Sequence, residues 1–295
     1  MQPLYLIDAS IYIFRAYFSI PEHLTDAEGN PANAVYGFAG FLATLLEKTQ
    51  AAHIAVAFDE SLTTSFRNEI YPPYKANRAL PPPELAAQLA ACQELARVMG
   101  LETFVSPRYE SDDLIGTASY AMREHGFRAV IVSGDKDLTQ LIGAEDIWWD
   151  FTRDRQLDAA GIKQQFGVTP QQIVDLIALM GDSVDNIPGV PGIGPKTAVA
   201  LLSHFGSLAA IYDRLEEIPR MNLRGAPRVH TLIKNNQESA LLSQRLARIA
   251  TDAPIECTPQ SLARQSVDRV KLEELCDRLN FGKNLRSKLQ AATDE

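Results

Sequence analysis

Cysteine is scarce in this sequence of 295 residues. The three copies, Cys92, Cys257 and Cys276, are odd in number and far apart, and no Cys-x-x-Cys pair occurs. This pattern argues against a disulfide framework and against a cysteine zinc site, and it favours a reducing cytoplasm. The five histidines show no metal-ligand spacing, so a histidine metal site is not expected either.

Long apolar runs and a basic leader are also lacking. The chain opens Met-Gln-Pro-Leu-Tyr-Leu-Ile-Asp, with no basic segment before its first apolar residues and with Asp8 interrupting them. Such a start is typical neither of a signal peptide nor of a membrane span, so we expect no membrane association. The hydrophobic fraction of 46% is that of a globular protein with a sizeable core.

Basic residues are outnumbered by acidic ones, which taken alone argues against a nucleic-acid partner. The net charge is −9, from 28 basic and 37 acidic side chains. Residues 220–248 are the exception, with six basic side chains against one acid and a local net charge of +5. The six are Arg220, Arg224, Arg228, Lys234, Arg245 and Arg248. This local basic face permits a polyanionic partner.

What the sequence does contain is a set of acidic residues in tight groups, most of them just after a short apolar run. The nine are Asp8, Asp59, Glu110, Asp112, Asp113, Asp135, Asp137, Asp182 and Asp185. Carboxylates that converge repel one another unless cations neutralise them. Oxygen ligands in this number suit Mg²⁺ or Mn²⁺, and such pairs of ions serve phosphoryl transfer and hydrolysis. Helix capping is the simpler alternative for residues 110–113, and an Asp-capped turn for residues 133–137.

Short β-rich runs alternate with helical patterns before about residue 160, and only helical patterns follow. Strands are predicted at Leu4–Ile7, Ile54–Phe58, Ala129–Val132 and Ile147–Trp149, with helices near 33–50, 84–99 and 111–125. Further helices are predicted at 170–180, 196–204, 207–216, 228–248 and 268–280. The alternation predicts an α/β fold with a mostly parallel twisted sheet. In such sheets ligands bind beyond the carboxyl ends of the strands, where most of the acids fall.

Residues 189–197 read Gly-Val-Pro-Gly-Ile-Gly-Pro-Lys-Thr and lie between two predicted helices. They do not form a P-loop, because Pro195 separates Gly194 from Lys196, and they do not form a dinucleotide fingerprint, because no strand precedes them. The glycines free backbone N–H groups to approach a ligand, and the following helix start favours phosphate. The pattern matches a helix–hairpin–helix clamp on the DNA backbone, with a plain loop as the alternative.

Two cations and an aromatic ring fall in the proline-rich segment 65–83. Lys75 and Arg78 lie three residues apart beside Tyr74. The cations could stabilise a phosphoryl transition state, and the ring could stack on a base. Taken alone, the segment favours a solvated, proline-broken loop that projects from the core.

Together these motifs resemble the 5′-nuclease superfamily, and within it the 5′→3′ exonuclease domain of bacterial DNA polymerase I. The resemblance runs from Leu6 to about Lys288. Its most specific pieces are Phe58-Asp59, Ser65-Phe66-Arg67, Tyr74-Lys75-x-x-Arg78, Glu110-Ser111-Asp112-Asp113, Gly134-Asp135-Lys136-Asp137-Leu138, Leu179 to Gly189, and Gly192-Ile193-Gly194-Pro195-Lys196-Thr197.

The resemblance implies a PIN-like catalytic domain at 1–175, with a helical arch over about 68–100, and an all-helical DNA-binding region at 176–290. It implies two Mg²⁺ or Mn²⁺ ions, the first near Asp8, Asp59, Glu110, Asp112 and Asp113, and the second near Asp135, Asp137, Asp182 and Asp185. It gives Tyr74, Lys75 and Arg78 catalytic roles in the arch. It places Arg67, Gly189, Gly192, Gly194, Lys196 and Thr197 on DNA, with K⁺ held at the hairpin.

The sequence therefore predicts a structure-specific 5′ nuclease that leaves 5′-phosphate and 3′-hydroxyl ends. Its substrate would be DNA with a 5′ single-stranded flap or a 5′ end next to a duplex. We expect a monomer in the bacterial cytoplasm, associated with the nucleoid. The alternatives are a branched-DNA-binding relative without turnover and a PIN-type ribonuclease. The ribonuclease is disfavoured by the hairpin at residues 189–197.

Overall fold

A six-stranded, mostly parallel sheet organises the first half of the chain. The computed structural model describes residues 1–60, 64–78 and 80–293, and its strands within those ranges run in the order β3-β2-β1-β4-β5-β6. The strands are β1 (Gln2–Asp8), β2 (Ile54–Asp59), β3 (Glu102–Ser106), β4 (Phe127–Val132), β5 (Ile147–Asp150) and β6 (Arg155–Leu157). Only β6 is antiparallel to its neighbour. The strand order runs from β1 to β3 on one side and continues from β4 to β6 on the other, so it changes direction between β1 and β4. Ligands of open α/β sheets bind at such a switch point.

Helices cover both faces of this sheet, because its central strands are apolar on both sides. They are α1 (Ala9–Ser19), α2 (Asn33–Thr49), α3 (Phe66–Ile70), α4 (Pro83–Val98), α5 (Ser111–Glu124) and α6 (Ala159–Phe166). In β1, Leu4 and Leu6 face one core and Ile7 faces the other, and all three are fully buried. A strand buried on two faces is typical of a parallel sheet between helical layers.

The second half of the described chain is helical. Its helices are α7 (Ile173–Met180), α8 (Pro195–Phe205), α9 (Leu208–Asp213), α10 (Ala226–Asn235), α11 (Gln237–Ala247), α12 (Arg269–Arg278) and α13 (Lys283–Ala291). Helices α7 to α11 extend the core beneath α5, whereas α12 and α13 join the core of α1, α2 and α4. Both cores thus contain residues from both sides of the predicted boundary at residue 175, which itself stays a prediction.

The predicted α/β class and helical C-terminal part are confirmed, with corrections of detail. Strands β3 and β6 and helices α3, α6 and α13 were not predicted, since they are short or lack a clear apolar period. The predicted helix 228–248 is two helices, because the backbone breaks at Asn236 between α10 and α11.

The predicted bounds of the arch, about residues 68–100, stay a prediction. Within that range α4 is packed onto the body, with Leu85, Cys92 and Ala96 buried in the core that it shares with α2. The Gln88 side chain accepts hydrogen bonds from the N–H groups of Ala34 (2.7 Å) and Val35 (3.3 Å) at the start of α2. One side of α4 is therefore anchored to α2. Part of the predicted arch, at residue 79, lies outside the described residues.

Within the described residues, no helix combines the length and the apolar character needed to cross a membrane.

Candidate active site

The carboxyl ends of the parallel strands converge on a cavity of about 500 Å³. Strand β1 ends at Asp8, β2 ends at Asp59, and the loop after β4 carries Asp135. Six of the nine predicted acids line this cavity, namely Asp8, Asp59, Glu110, Asp112, Asp135 and Asp185, together with Lys75 and Arg78. Apolar side chains also line the cavity, among them Ile11, Phe14 and Leu89. The strand-end argument therefore places distant acids at one site, as the sequence predicted.

Asp8 and Asp59 are held in position by serine hydroxyls. Ser133 donates a hydrogen bond to Asp8 (2.8 Å), and Ser10 donates one to Asp59 (2.8 Å). The backbone N–H of Ser111 also donates to Asp59 (2.8 Å), which ties β2 to the start of α5. Burial, and then repulsion by Asp59, raises the pKa of Asp8 to about 7.

Three further acids in this region also hold their protons more tightly than free side chains do. Burial raises the pKa of Asp112 well above its ordinary value, with repulsion by Asp135, Asp8 and Asp59 adding to it. Burial likewise raises the pKa of Asp135. Burial and repulsion by Asp135 raise the pKa of Asp137 to about 8, and its buried Oδ1 has no hydrogen-bond partner. These buried carboxylates repel one another, and one of their oxygens has no hydrogen-bond partner. Both features suit the binding of hard divalent cations.

Glu110 differs from these acids because the protein supplies its counter-charge. Lys75 Nζ lies 2.8 Å from its Oε2, the Tyr74 hydroxyl donates to it at 3.1 Å, and Arg67 Nη1 lies 3.5 Å away. Burial acts to raise the pKa of Glu110, but Lys75 and Arg67 outweigh it and hold that pKa below its ordinary value. Lys75 has a φ of +53°, a left-handed conformation that costs a side-chain-bearing residue about 1–2 kcal/mol. The fold therefore accepts local strain where this ammonium enters the acid cluster.

The burial of Tyr74 and Lys75 corrects the expectation of a solvated, projecting loop. Tyr74 is 3% exposed and Lys75 is 9% exposed. Because Tyr74 is buried, its ring has no free face for stacking on a base, and its hydroxyl lies 3.3 Å from Asp185 Oδ2 as well as near Glu110. Arg78 is partly exposed and pairs with Asp185. Of the predicted trio, Arg78 is thus the side chain best placed to meet a ligand.

Asp182 and Asp185 lie in a tight loop that joins the cavity to the glycine hairpin. Asp182 and Ile187 exchange two backbone hydrogen bonds (2.9 and 2.7 Å), which closes the loop. Segment 73–78 holds one side of it, since the N–H of Lys75 donates to the carbonyl of Asp185 (3.0 Å). Lys136 holds the other side, with Nζ 3.0 Å from Asp182 Oδ2. Burial acts to raise the pKa of Asp182, but Lys136 and backbone N–H groups lower it below its ordinary value.

The hairpin follows directly and runs between α7 and α8, as predicted. Gly181 and Gly189 both have positive φ and touch back to back, so a Cβ on Gly189 would lie 2.3 Å from the nitrogen of Gly181. The N–H of Gly189 donates to Ser243 Oγ (2.8 Å), and Ser239 Oγ donates to the carbonyl of Gly189 (2.6 Å). The predicted DNA contact at Gly189 is therefore wrong, because its backbone is buried against α11.

The remaining hairpin residues reach the surface. Gly192, Gly194 and Lys196 are exposed and Thr197 is half-buried, at the start of α8. A Cβ on Gly194 would meet nothing within 4 Å, which leaves room for a ligand at its backbone. Such a helix start, with free N–H groups and a nearby ammonium, is a favourable site for a phosphate.

Comparison with known proteins identifies the family of this chain. Residues 3–167 match the family model of the 5′-3′ exonuclease N-terminal resolvase-like domain, and residues 168–270 match that of the 5′-3′ exonuclease C-terminal SAM fold. The chain belongs to the 5′-3′ exonuclease family. The predicted resemblance is thereby confirmed.

Curated relatives fall into two lengths. A 5′-3′ exonuclease of Buchnera aphidicola (subsp. Schizaphis graminum) is 35% identical over 93% of this chain and 95% of its own length. DNA polymerase I of Bacillus caldotenax is 39% identical over 99% of this chain but only 33% of its own length. The chain spans about a third of the length of the first curated relatives that it matches.

Solved structures share the fold at low sequence identity. A bacteriophage T5 flap endonuclease complex with DNA and metal ions has a TM-score of 0.69 at 21% identity, covering 100% of both chains. The catalytic core of Rad2 with a DNA substrate has a TM-score of 0.65 at 16% identity, covering 99% of this chain and 92% of that one. These similarities confirm the predicted fold.

Two predicted site residues of this exonuclease-family chain neutralise each other instead. Arg67, predicted on DNA, is 2% exposed, and Asp113, predicted as a metal ligand, is fully buried. Arg67 donates to both oxygens of Asp113 at 2.7 Å, and the N–H groups of Glu110 (3.0 Å) and Ala250 (2.8 Å) supply two more hydrogen bonds. Asp113 has no free lone pair for a metal, and Arg67 cannot reach DNA. Both predictions are corrected.

Lys136 is the functional candidate that the sequence argument missed. It was quoted only as part of the Asp135-Lys136-Asp137 motif, yet its ammonium bridges the loop after β4 and the loop after α7. A lysine between two acids reads as a solvated charge, so only the fold reveals its partner. Ser10 and Ser133 were also missed, because only the fold reveals that they donate hydrogen bonds to Asp59 and Asp8.

The six basic residues of 220–248 are exposed in this exonuclease-family chain, and the helix that carries two of them lies beside the hairpin. None of the six forms an ion pair among the residues that the structure describes. A Cβ at Gly192 would lie 3.2 Å from Leu232 of α10, which places the hairpin against the helix that carries Arg228 and Lys234. Arg228 lies one turn before Leu232 on the same side of α10, whereas Lys234 lies about 120° around the helix from Arg228. The side with Arg228 carries unneutralised positive charge next to the exposed glycines.

Proposed function

We propose that the chain is a structure-specific 5′ nuclease that hydrolyses DNA phosphodiesters with two divalent cations. One observation carries the proposal: in a 5′-3′ exonuclease-family chain, an acid-lined cavity with two cationic side chains opens beside an exposed glycine hairpin. The products would be 5′-phosphate and 3′-hydroxyl ends. The substrate would be DNA with a 5′ flap, or a 5′ end next to a duplex.

The donor set supports Mg²⁺ or Mn²⁺ rather than a softer metal, since the acidic wall offers carboxylate oxygens. The first ion would be held by Asp8, Asp59, Glu110 and Asp112, and the second by Asp135, Asp137, Asp182 and Asp185, directly or through water. When bound, two such ions lower the pKa of an attacking water and stabilise the leaving oxygen. The solved T5 relative, described with DNA and metal ions, supports this proposal.

The chain's own cations would then act on the phosphate. Arg78 is partly exposed at the cavity, and its guanidinium suits bidentate contact with phosphate oxygens. Lys75 is buried and fixed, so its charge is already in place where charge develops during the reaction. Tyr74 would position Glu110 through its hydroxyl. Its role is thus support for a ligand residue rather than base stacking.

Duplex DNA would lie on the hairpin and the neighbouring basic face. Exposed backbone at Gly192 and Gly194, with Lys196 and Thr197, would hold one strand's phosphates, and backbone carbonyls there would hold K⁺. Arg228, on the side of α10 that meets the hairpin, would extend the contact. Backbone contacts carry little sequence information, so recognition would depend on DNA shape.

A second candidate is a branched-DNA-binding protein without turnover. It is favoured by one observation: among the described residues, no three acidic, cysteine or histidine side chains are arranged to hold a metal ion as they stand. Lysine and arginine side chains occupy that space instead, at Glu110, Asp182 and Asp185. The nuclease proposal requires part of this pairing to yield to cations.

A labelled 5′-flap duplex incubated with Mg²⁺ and with excess EDTA separates the candidates. The nuclease should release a short 5′-labelled product only with the metal. Flap binding without cleavage, across pH and with both Mg²⁺ and Mn²⁺, would establish the binding protein instead. Faster cleavage of linear RNA than of flapped DNA would revive the PIN-type ribonuclease.

A further inference from the structure

Lys136 is in contact with two carboxylates that come from opposite halves of the chain. Its Nζ lies 3.0 Å from Asp182 Oδ2 and 4.0 Å from Asp137 Oδ1. That Asp137 oxygen is buried and has no hydrogen-bond partner, so the ammonium is the nearest positive charge that it faces. Both carboxylates belong to the set proposed for the second cation.

The ammonium and a divalent cation would serve the same carboxylates. A lysine ammonium is a compact point charge with three donors, and it neutralises carboxylates much as a small cation does. Mg²⁺, however, binds oxygen ligands at about 2.0–2.1 Å, and its charge disfavours an ammonium in the same space. The two therefore compete for Asp182 and Asp137.

The two lysines of the site differ in their freedom to leave. Lys75 is 9% exposed, and its backbone is bonded to Asp185, so it is a fixed part of the site. The Lys136 side chain is 45% exposed on a flexible stem, so its ammonium is already in contact with solvent. Lys136 can therefore withdraw into solvent without opening the core.

We infer that Lys136 is a positioning residue that stands in for the second cation. In the metal-free protein its ammonium holds Asp137 and Asp182 together, and an incoming divalent cation displaces it. This inference rests on the proposed two-metal site. It implies that the second cation binds more weakly than the carboxylates alone would allow, because each binding event must break the lysine contacts.

Mn²⁺ titration of the full chain without DNA tests this, with free Mn²⁺ followed by electron paramagnetic resonance. Lys136→Met keeps the stem and removes the charge, and we expect the weaker Mn²⁺ ion to bind about fivefold more tightly than in the wild type, the size of a partly exposed ion pair. Lys163→Met is the matched control, because Lys163 is an exposed lysine of α6 outside the site. It makes the same charge change and should leave the affinity unaltered.

A second measurement keeps the test independent of affinity alone. In EDTA, Lys136→Met should unfold at a lower temperature than the wild type, and saturating Mn²⁺ should remove the difference. An unchanged or weaker Mn²⁺ affinity in Lys136→Met, relative to Lys163→Met, would overturn the inference and leave the proposed nuclease standing. Absence of Mn²⁺ binding in every variant would reject the two-metal site and the inference together.

Discussion

Arg67 and Asp113 form a buried, two-pronged ion pair, with both N–O distances at 2.7 Å. Arg67 also donates to the carbonyls of Leu246 (2.8 Å) and Arg248 (2.9 Å) at the end of α11. One guanidinium therefore joins the first turn of α5, which carries Glu110 and Asp112, to the C-terminal helical region. The acids of the site owe their placement in part to a pair that does not itself line the cavity.

Arg67→Met should strongly destabilise the protein, because it leaves the Asp113 carboxylate buried without a counter-charge. Removing one partner of a buried ion pair typically lowers the free energy of unfolding by about 3–5 kcal/mol. Urea denaturation gives the free energy of unfolding directly. The matched control is Arg108→Met, which removes an arginine that pairs with exposed Glu69 and should leave that free energy unchanged. Equal effects of the two substitutions would contradict the structural role of Arg67.

Two neighbouring aspartates of α5 should respond in opposite ways to the same chemical change. Asp113→Asn should lower the melting temperature in EDTA, because the buried Arg67 loses its charge partner. Asp112→Asn should maintain or raise that temperature, since burial and three nearby acids already disfavour its charge. In the proposed nuclease, Asp112→Asn should nevertheless reduce flap cleavage at least about 100-fold through loss of a metal ligand. A destabilised Asp112→Asn would remove it from the cluster.

The metal-free protein should lose stability as the pH rises from about 4 to about 8. Asp8 and Asp137 have folded-state pKa values of about 7 and about 8 against an ordinary value of 3.8. A raised carboxyl pKa favours folding below the ordinary pKa, and that contribution is lost as the pH passes through the folded pKa. We expect a loss of at least about 1.4 kcal/mol, the equivalent of one pKa unit.

Divalent cations should reverse this trend, because they neutralise the carboxylates that the rising pH charges. The gain in melting temperature on adding Mg²⁺ should therefore be larger at pH 8 than at pH 5.5. Thermal unfolding across this range, in Mg²⁺ and in EDTA, measures both effects. A gain that is independent of pH would show that Asp8 and Asp137 do not couple to cation binding.

Substitutions at two hairpin glycines should show different effects, one on folding and the other on DNA binding. Gly189→Ala places a Cβ 2.3 Å from the nitrogen of Gly181 at a φ of +63°, so we expect a loss of about 3 kcal/mol. Gly194→Ala meets open space and should change stability by less than about 0.5 kcal/mol. It should still weaken flap binding, because its methyl group stands where the backbone would approach phosphate. Equal stability of the two variants in urea denaturation would refute this account of Gly189.

Lys196→Ala should weaken duplex binding and reduce the slope of log affinity against log salt by about 1, as loss of one phosphate contact does. Fluorescence anisotropy over a salt series gives that slope. Lys283→Ala, at an exposed lysine of α13, serves as the control, because α13 packs in the core of α1, α2 and α4. An unaltered slope in Lys196→Ala would leave Lys196 as an ordinary helix-start residue.

The sequence was most informative where chemistry and topology agree. Acids directly after apolar strands had to meet at one sheet edge, and Asp8, Asp59 and Asp135 do so. The same reasoning failed for Asp113, because a helix turn points successive side chains in different directions. Asp112 faces the cavity, whereas Asp113 faces Arg67. Local sequence does not contain that distinction, since the partner lies 46 residues away.

Glycines and proline-rich segments show a similar limit. The motif at residues 189–197 predicted a hairpin between helices, and the loop lies there. It did not reveal that Gly189 packs on Gly181 while Gly194 remains open. Likewise, the prolines before Tyr74 favour a loop, but the acids that draw Tyr74 and Lys75 inward come from residues 110 and 185.

The loop from Asp182 to Ile187 is closed by backbone hydrogen bonds, and the contact of Gly181 with Gly189 holds it in place. These contacts fix the distance between the acids of the loop and the exposed hairpin glycines. In the proposed nuclease, the acids that hold a cation and the glycines that hold the duplex belong to one short, internally bonded stretch of chain. The distance between the duplex-binding glycines and the cleavage site is then set by the length and internal hydrogen bonds of that stretch. One residue inserted between Val190 and Gly192 should relocate the incision along the strand, which the length of the labelled product would record.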